Sequence, residues 1–386
     1  MNVFVFPGQG AQFKGMGDGL FDKYPQDTAM ADEILGYSIA DLCLRDPDRQ
    51  LHNTLYTQPA LYVVNALHYK DKIAETGTIP DYLAGHSLGE HNALQASGAI
   101  SFADGLKMVK RRGELMSQAP KGAMAAILGS TEDNIRQILD RNGLSTIDIA
   151  NYNSPDQTVV SGLDADIRNA EGYFSKADIK FIPLNTSGAF HSRYMKPSGI
   201  EFKKYLKTFT FAELTIPVIS NVHAKPYEQG DIIENLSAQI SCSVKWSESI
   251  RYLLEKGARA FDEIGASVVL TTLIDKIRDQ AALESVDAAP DTVNTVQEAS
   301  LEYGAVVDNK AKKDSNVFDA DDIQRMVADW NNTYPVGSKV SAKNHAELLE
   351  TRTEATVLFG RRAAVYMKGF NGYFDLTEIT PQDRAN

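Results

Sequence analysis

Apolar and polar positions fall into short blocks over the first 120 residues. Val3–Phe6 is a strand-like apolar run that ends in the turn-forming Pro7-Gly8-Gln9-Gly10-Ala11-Gln12. Pro59 to Tyr69 reads as a buried helix, Pro80–Ala84 as a buried strand and Glu90–Ala99 as a helix. Phe102–Gln118 is amphipathic, with Phe102, Leu106, Val109 and Met116 in one stripe. Strand-like runs alternating with helical ones predict an α/β fold with a mostly parallel sheet covered by helices. Between residues 122 and 189 the order changes. Ala123–Leu128, Ile147–Asn151, Thr158–Ser161 and Lys180–Leu184 read as strands, and Glu132–Asn142 and Ala165–Ser175 as helices. That βαββαβ order predicts a ferredoxin-like small domain inserted into a larger one.

The larger domain, residues 1–121, resumes over 190–280. There Pro217–Asn221 and Ala260–Glu263 read as strands, and Val244–Lys256 and Val268–Arg278 as helices. Residues 281–318 lack periodicity and are predicted to be a linker. Over 319–386 the pattern predicts a small helix-plus-β module. Its helix is Asp319–Asn331, with apolar Ile323, Met326, Val327 and Trp330, and its strands are Thr356–Phe359, Ala363–Met367 and Gly372–Leu376.

Where the strand Pro80–Ala84 meets the helix from Glu90, the chain reads Gly85-His86-Ser87-Leu88-Gly89. A G-x-S-x-G turn between strand and helix lifts the serine hydroxyl clear of the sheet and aims helix N-terminal amides at whatever it attacks. It points to an α/β-hydrolase-like large domain and to covalent acyl chemistry at Ser87. Lipases, esterases, thioesterases and acyltransferases share such an elbow. His86, inside the elbow, is assigned a packing role.

An activated serine needs a base. Among seven histidines, His191 follows a strand and a small-residue turn, Thr186-Ser187-Gly188-Ala189-Phe190, at the predicted junction of the two domains. On position alone, a structural histidine and a catalytic one both remain open. Arg112 lies on the flank of the apolar stripe of its helix, while Lys107, Lys110 and Arg111 point away. An inward arginine needs an anion, which a structural carboxylate or the carboxylate of a substrate would supply.

The net charge of −12 over 386 residues argues against nucleic acid or an anionic membrane as the main partner. Two cysteines, Cys43 and Cys242, make neither a disulfide framework nor a metal motif, and both read as buried apolar fillers. No apolar stretch has the length of a membrane span. With no basic start or cleavage site at Met1-Asn2-Val3-Phe4, the protein is expected in the cytoplasm.

Taken in order, Pro7-Gly8-Gln9-Gly10-Ala11-Gln12, Thr57-Gln58-Pro59-Ala60-Leu61, Gly85-His86-Ser87-Leu88-Gly89-Glu90, Arg112-Gly113, Gly188-Ala189-Phe190-His191-Ser192 and Val244-Lys245-Trp246 resemble malonyl-CoA:acyl-carrier-protein transacylases. The resemblance covers residues 1 to about 280. It is strongest to the free-standing acyltransferases of trans-acyltransferase polyketide synthases, through Ile34-Leu35-Gly36-Tyr37-Ser38-Ile39 and the stretch 187–195.

The resemblance implies a Ser87–His191 dyad, with the imidazole oriented by a backbone carbonyl near Gln239. It implies an oxyanion hole from the N–H groups of Gln9 and Leu88, with Gly8 and Gly10 bracketing Gln9. It further implies Arg112 as clamp for a malonyl carboxylate and Phe190 as a residue favouring malonyl over methylmalonyl. Malonyl-CoA and acyl carrier proteins are then the partners of a protein expected to be monomeric and to need no metal or cofactor. Two stretches depart from the family. Glu263-Ile264-Gly265-Ala266-Ser267 replaces a Gly-Pro-Gly turn, and Thr271-Thr272-Leu273 a Thr-Gly-Leu; both put the geometry of a supporting loop in question. The alternatives are an editing acyl hydrolase of carrier proteins, whose members usually lack the clamp arginine, and a weakly active carrier-docking protein.

Overall fold

The computed structural model describes residues 1–287, 320–342, 348–358, 362–368 and 373–381. The chain forms two compact units, Met1–Val293 and Asn294–Asn386.

The first unit is α/β and contains two sheets. One is parallel and built from β1 (Asn2–Phe6), β2 (Tyr82–Gly85), β7 (Val218–Ile219) and β8 (Ala260–Glu263), in the order β7-β2-β1-β8. Val3 pairs with Tyr82 on one side and Phe261 on the other. A parallel sheet is covered on both faces, which explains why Val3, Phe4, Val5 and Phe6 are all fully buried instead of alternating. The other sheet is antiparallel: β3 (Gly122–Leu128), β4 (Asp148–Ser154), β5 (Gln157–Leu163) and β6 (Lys180–Pro183) run in the order β4-β5-β3-β6. Helices Glu132–Arg141 and Asp164–Lys176 follow β3 and β5.

Several boundaries differ from the sequence expectation, and three of the differences have a clear local reason. The helix expected from Pro59 begins at Thr54 and runs to Thr76. Asn53 caps it by accepting a hydrogen bond from Leu55 N at 3.1 Å, and Pro59 removes just one bond of the ladder. The strand expected over Pro217–Asn221 stops at Ile219, because Ser220 turns the chain and donates its N–H to Lys225 O at 2.9 Å. The helix expected to end at Arg278 continues to Asp287, so the linker does not start at residue 281. Leu270, Leu273, Ile274 and Ile277 bury one face of it in the Trp246, Ile250 and Leu253 cluster. Beyond them Glu284 accepts from Arg251 Nη2 at 2.9 Å. The rest of the expected linker, 288–318, lies outside the described residues.

Helix Gly89–Ala96, which follows the elbow, is almost wholly buried. His91 on it packs 6.1 Å from the Phe202 ring, and among the described residues neither of its ring nitrogens has a hydrogen-bond partner. Burial, helped by the Arg112 charge, lowers its pKa to about 3. Protonation below the ordinary value of 6.5 therefore favours the unfolded chain, and the stability that the neutral ring permits is lost as pH falls from 6.5 toward 3. His91→Phe removes both orphaned nitrogens. We expect it to stabilise the protein by about 1–3 kcal/mol, with a larger rise in melting temperature at pH 5 than at pH 7.5. An equal or lower melting temperature at pH 5 would contradict this.

The second unit places helix Ala320–Thr333 with two three-stranded antiparallel sheets. One orders β10 (Leu349–Glu350), β9 (Lys339–Ala342) and β14 (Ile379–Pro381); the other orders β11 (Thr356–Leu358), β12 (Arg362–Tyr366) and β13 (Tyr373–Asp375). Ile323, Trp330, Val340, Leu349, Val365 and Ile379 share its core. The sequence pattern predicted the helix and β11 to β13 but missed β9, β10 and β14, which are short and pair across the chain. Phe359 and Gly372, at the edges of expected strands, lie outside the described residues. Among the described residues no helix is long and apolar enough to cross a membrane.

Candidate active site

The elbow requires its glycines for space. A Cβ on Gly85 would lie 2.0 Å from the carbonyl carbon of Gly89, and one on Gly89 would lie 2.1 Å from Phe6 O. Between them Ser87 takes a left-handed φ of 52°, a conformation that costs on the order of 1–3 kcal/mol for a residue with a side chain. Asn221 holds it there. Its Oδ1 accepts from Ser87 N at 2.7 Å, and its Nδ2 donates to Gly85 O at 2.7 Å. Asn221 sits just beyond the shortened β7, so the early turn at Ser220 is what delivers it.

Ser87 Oγ lies 2.7 Å from His191 Nε2. His191 Nδ1 lies 2.8 Å from Gln239 O and 3.2 Å from Cys242 O. Carbonyl oxygens only accept, so Nδ1 carries the hydrogen and Nε2 is bare, facing the serine hydroxyl as an acceptor. Burial and then the Arg112 charge draw the His191 pKa down to about 3, which leaves the ring neutral at neutral pH with Nε2 free to accept from the serine hydroxyl. Among the described residues no acidic side chain touches the imidazole; the orienting partners are main-chain carbonyls.

Arg112 is 1% exposed. It donates to Gln58 Oε1 at 2.6 Å, Gln239 Oε1 at 2.7 Å and Ser87 Oγ at 3.1 Å. Burial lowers its pKa to about 10, opposed by the Glu90 carboxylate, so it stays charged near neutral pH. Gln239 is a crossroads: its carbonyl meets His191, its Oε1 meets Arg112, and its Nε2 donates to Ser87 O at 2.6 Å and to Glu90 Oε2. Glu90, fully buried, also accepts from Asn221 N and Tyr227 Oη, both at 2.8 Å.

The Pro7–Gln9 turn is pressed against the elbow. A Cβ on Gly8 would come within 2.3 Å of His86 O, and Asn65 Nδ2 donates to Pro7 O at 3.0 Å. Asn65 also donates to Asn92 Oδ1 at 3.2 Å, on the helix that begins at Leu88 and Gly89. One side chain thus ties the Gln9 turn to the elbow helix. Gln9 Oε1 accepts from Thr54 Oγ1 at 2.8 Å. Leu88 and Phe190 are both buried, Phe190 in the main apolar cluster. His86 faces away from the serine, with Nε2 2.8 Å from Asn153 Oδ1 and its ring 5.5 Å from Trp246.

The altered loop is closed by its own polar groups. Glu263 Oε2 accepts from Thr271 N at 2.8 Å and Thr271 Oγ1 at 2.9 Å, and Oε1 accepts from Ser267 Oγ at 3.2 Å. The carboxylate therefore caps the first turn of helix Val269–Asp287, where the helix dipole favours an anion. Cys43 is buried and Cys242 is partly exposed. Cys242 lines a cleft of about 630 Å³ beside His191, together with Arg136, Arg193, Lys196 and Lys245.

Sequence reasoning had given no role to Gln58, Glu90, Asn221 or Tyr227. Gln58 and Glu90 carried a signal, as polar residues inside otherwise buried helical stretches. Asn221 and Tyr227 carried none, since their partners lie more than 130 positions away.

A hydroxyl on a strained elbow, a neutral histidine accepting from it and a buried guanidinium against the same oxygen can together take up and release an acyl group. Residues 3–310 match the family model of the acyl transferase domain. The polyketide biosynthesis malonyl CoA-acyl carrier protein transacylase BaeC of Bacillus velezensis is 54% identical over 282 residues, which is 72% of this chain and 98% of that protein. The crystal structure of a malonyl CoA-acyl carrier protein transacylase from Burkholderia pseudomallei superposes with a TM-score of 0.71 at 52% identity, covering 72% of this chain and 98% of the other. A malonyl-transacylase solved in complex with a type II PKS acyl-carrier protein gives a TM-score of 0.69 at 32% identity, over 72% of this chain and 93% of its own. The chain belongs to the acyl transferase family and, within it, to the malonyl CoA-acyl carrier protein transacylases.

Proposed function

We propose that the protein moves malonyl from malonyl-CoA to the phosphopantetheine thiol of acyl carrier proteins, acting in trans in polyketide biosynthesis. The observation that carries this is the placement of the Arg112 guanidinium 3.1 Å from Ser87 Oγ. In a malonyl ester the carboxylate carbon is three bonds from that oxygen, at most about 3.8 Å away. An arginine so close lies within reach of the carboxylate of a three-carbon dicarboxylic acyl group on Ser87.

In this mechanism His191 Nε2 takes the Ser87 proton as Oγ attacks the thioester carbonyl, and the N–H groups of Gln9 and Leu88 hold the developing oxyanion. The proton passes to the departing CoA thiol. The carrier thiol then repeats the sequence on the malonyl ester, with His191 again as base. Gln239 O keeps the imidazole tautomer in place throughout, and Phe190 narrows the space an α-methyl would need. Neither metal nor redox cofactor enters. Of the cations in the cleft beside His191, Arg136, Arg193 and Lys245 are paired with Glu132, Asp148 and Glu248, so the attraction of the cleft for CoA phosphates or an acidic carrier surface is modest. We read the protein as acting as a monomer.

We further read residues 122–189 as a ferredoxin-like domain inserted into an α/β-hydrolase-like one, and 319–386 as a separate helix-plus-β appendage. Ion pairs such as Arg193 with Asp148 tie the inserted sheet to the segment after His191.

The test is a single incubation with malonyl-CoA, acetyl-CoA and methylmalonyl-CoA, read by intact mass with and without holo carrier protein. The expected result is a malonyl adduct on the enzyme that moves to the carrier. Release of free malonate without transfer would instead identify a hydrolase. Asn65→Leu, which frees the Pro7 carbonyl and shifts half of the oxyanion hole, should lower kcat by up to about a hundredfold with little change in KM. An unchanged kcat would show that Gln9 is positioned without it.

A further inference from the structure

Arg112 is a buried cation whose three hydrogen-bonded neighbours, Gln58 Oε1, Gln239 Oε1 and Ser87 Oγ, are neutral. A guanidinium removed from water needs a compensating anion. Among the described residues the charge acting on it is the Glu90 carboxylate, relayed through the Gln239 amide that bonds both groups. When the carboxylate of an acyl group pairs with Arg112, the same dry site holds one cation and two anions. Like charges at short range in low dielectric favour protonation of one of them.

We propose that Glu90 is the resident counter-ion of Arg112 and takes up a proton when the carboxylate of a dicarboxylic acyl group occupies the arginine, so that selection of that acyl group is coupled to protons. The idea rests on the reading of Arg112 as the malonyl clamp. The proton comes from solvent, bonds to Glu90 Oε1 and returns to solvent when the acyl group departs. Tyr227 makes this possible. Its hydroxyl donates to Oε1 and can rotate to accept from the protonated acid, which a backbone N–H cannot do.

The surrounding groups leave Glu90 as the one that titrates near neutral pH. Arg112, from helix Phe102–Ser117, stays protonated up to about 10. Tyr227, beyond β7, is raised well above its ordinary value, and burial lowers His86. His91 on the same helix and His191 across the site are both lowered to about 3. Burial raises Glu90 itself to about 7, against its three hydrogen-bond donors and Arg112.

The experiment measures kcat/KM for malonyl-CoA and for acetyl-CoA from pH 6 to 9 and takes their ratio, in which pH effects common to the two substrates cancel. In the native enzyme the ratio should fall severalfold as pH rises, because the malonyl complex must acquire a proton that the acetyl complex does not need. In Glu90→Gln the ratio should be independent of pH. A flat ratio in the native enzyme, or an equal slope in Glu90→Gln, would overturn the proposal; the first needs no variant to fold. Arg112→Ala separates the two ideas. If it retains the malonyl preference the clamp itself is wrong, whereas loss of preference beside a flat native ratio removes the counter-ion role alone.

Discussion

Ser87→Ala protein incubated with malonyl-CoA should gain no acyl mass, and its transfer rate should fall by a factor on the order of 10⁶, as when a nucleophile is removed from other serine enzymes. The substitution deletes the single oxygen on which His191 and Arg112 converge, at 2.7 and 3.1 Å. The elbow itself should persist. Asn221 bonds only main-chain atoms there, and alanine tolerates a left-handed φ no worse than serine. Intact mass after rapid acid quench reads the result, and a malonyl adduct on the variant would rule out Ser87 as the nucleophile. A melting curve close to that of the native protein shows that the loss is chemical.

Arg112→Ala is expected to lower kcat/KM for malonyl-CoA by about a hundredfold to several thousandfold, the 3–5 kcal/mol typical of removing one partner from a buried charge pair. Acetyl-CoA, which lacks the carboxylate, should lose far less, so the preference between the two substrates collapses. Malonyl ester that still forms should leak to water, because nothing holds its carboxylate. The same change removes the donors to Gln58 and Gln239 and leaves Glu90 without its cation, so some stability is lost as well. Competition between the two thioesters in one tube cancels that loss. An unaltered preference would sink the clamp.

The elbow was legible because its constraint is local: two glycines, two residues either side of a serine, at a change from strand to helix. The βαββαβ order was legible for a similar reason, since each strand and helix there carries its own period. What failed were boundaries settled by contacts distant in sequence. Helix Val269–Asp287 outlasts its apolar stripe because Arg251 reaches Glu284, and β9 and β14 form by a pairing in which Ala342 and Ile379 are partners although 37 positions apart in sequence. The site divides in the same way. Ser87 announces itself, His191 could be singled out by position, and Arg112 by its angle on a helix. The hub formed by Asn221, Gln239, Glu90 and Tyr227 is invisible in one dimension, because each member is an ordinary polar residue until the fold brings them together.

The left-handed backbone at Ser87, and again at His191 with φ 55°, also limits how this enzyme could change over evolutionary time. Threonine is a capable nucleophile, but a β-branched residue is a genuine outlier at such a φ. The main chain, and not the reaction, closes that route at position 87. Cysteine, unbranched at Cβ, stays open, so a drift in chemistry at this elbow would lead from oxygen to sulfur before it led to a secondary alcohol.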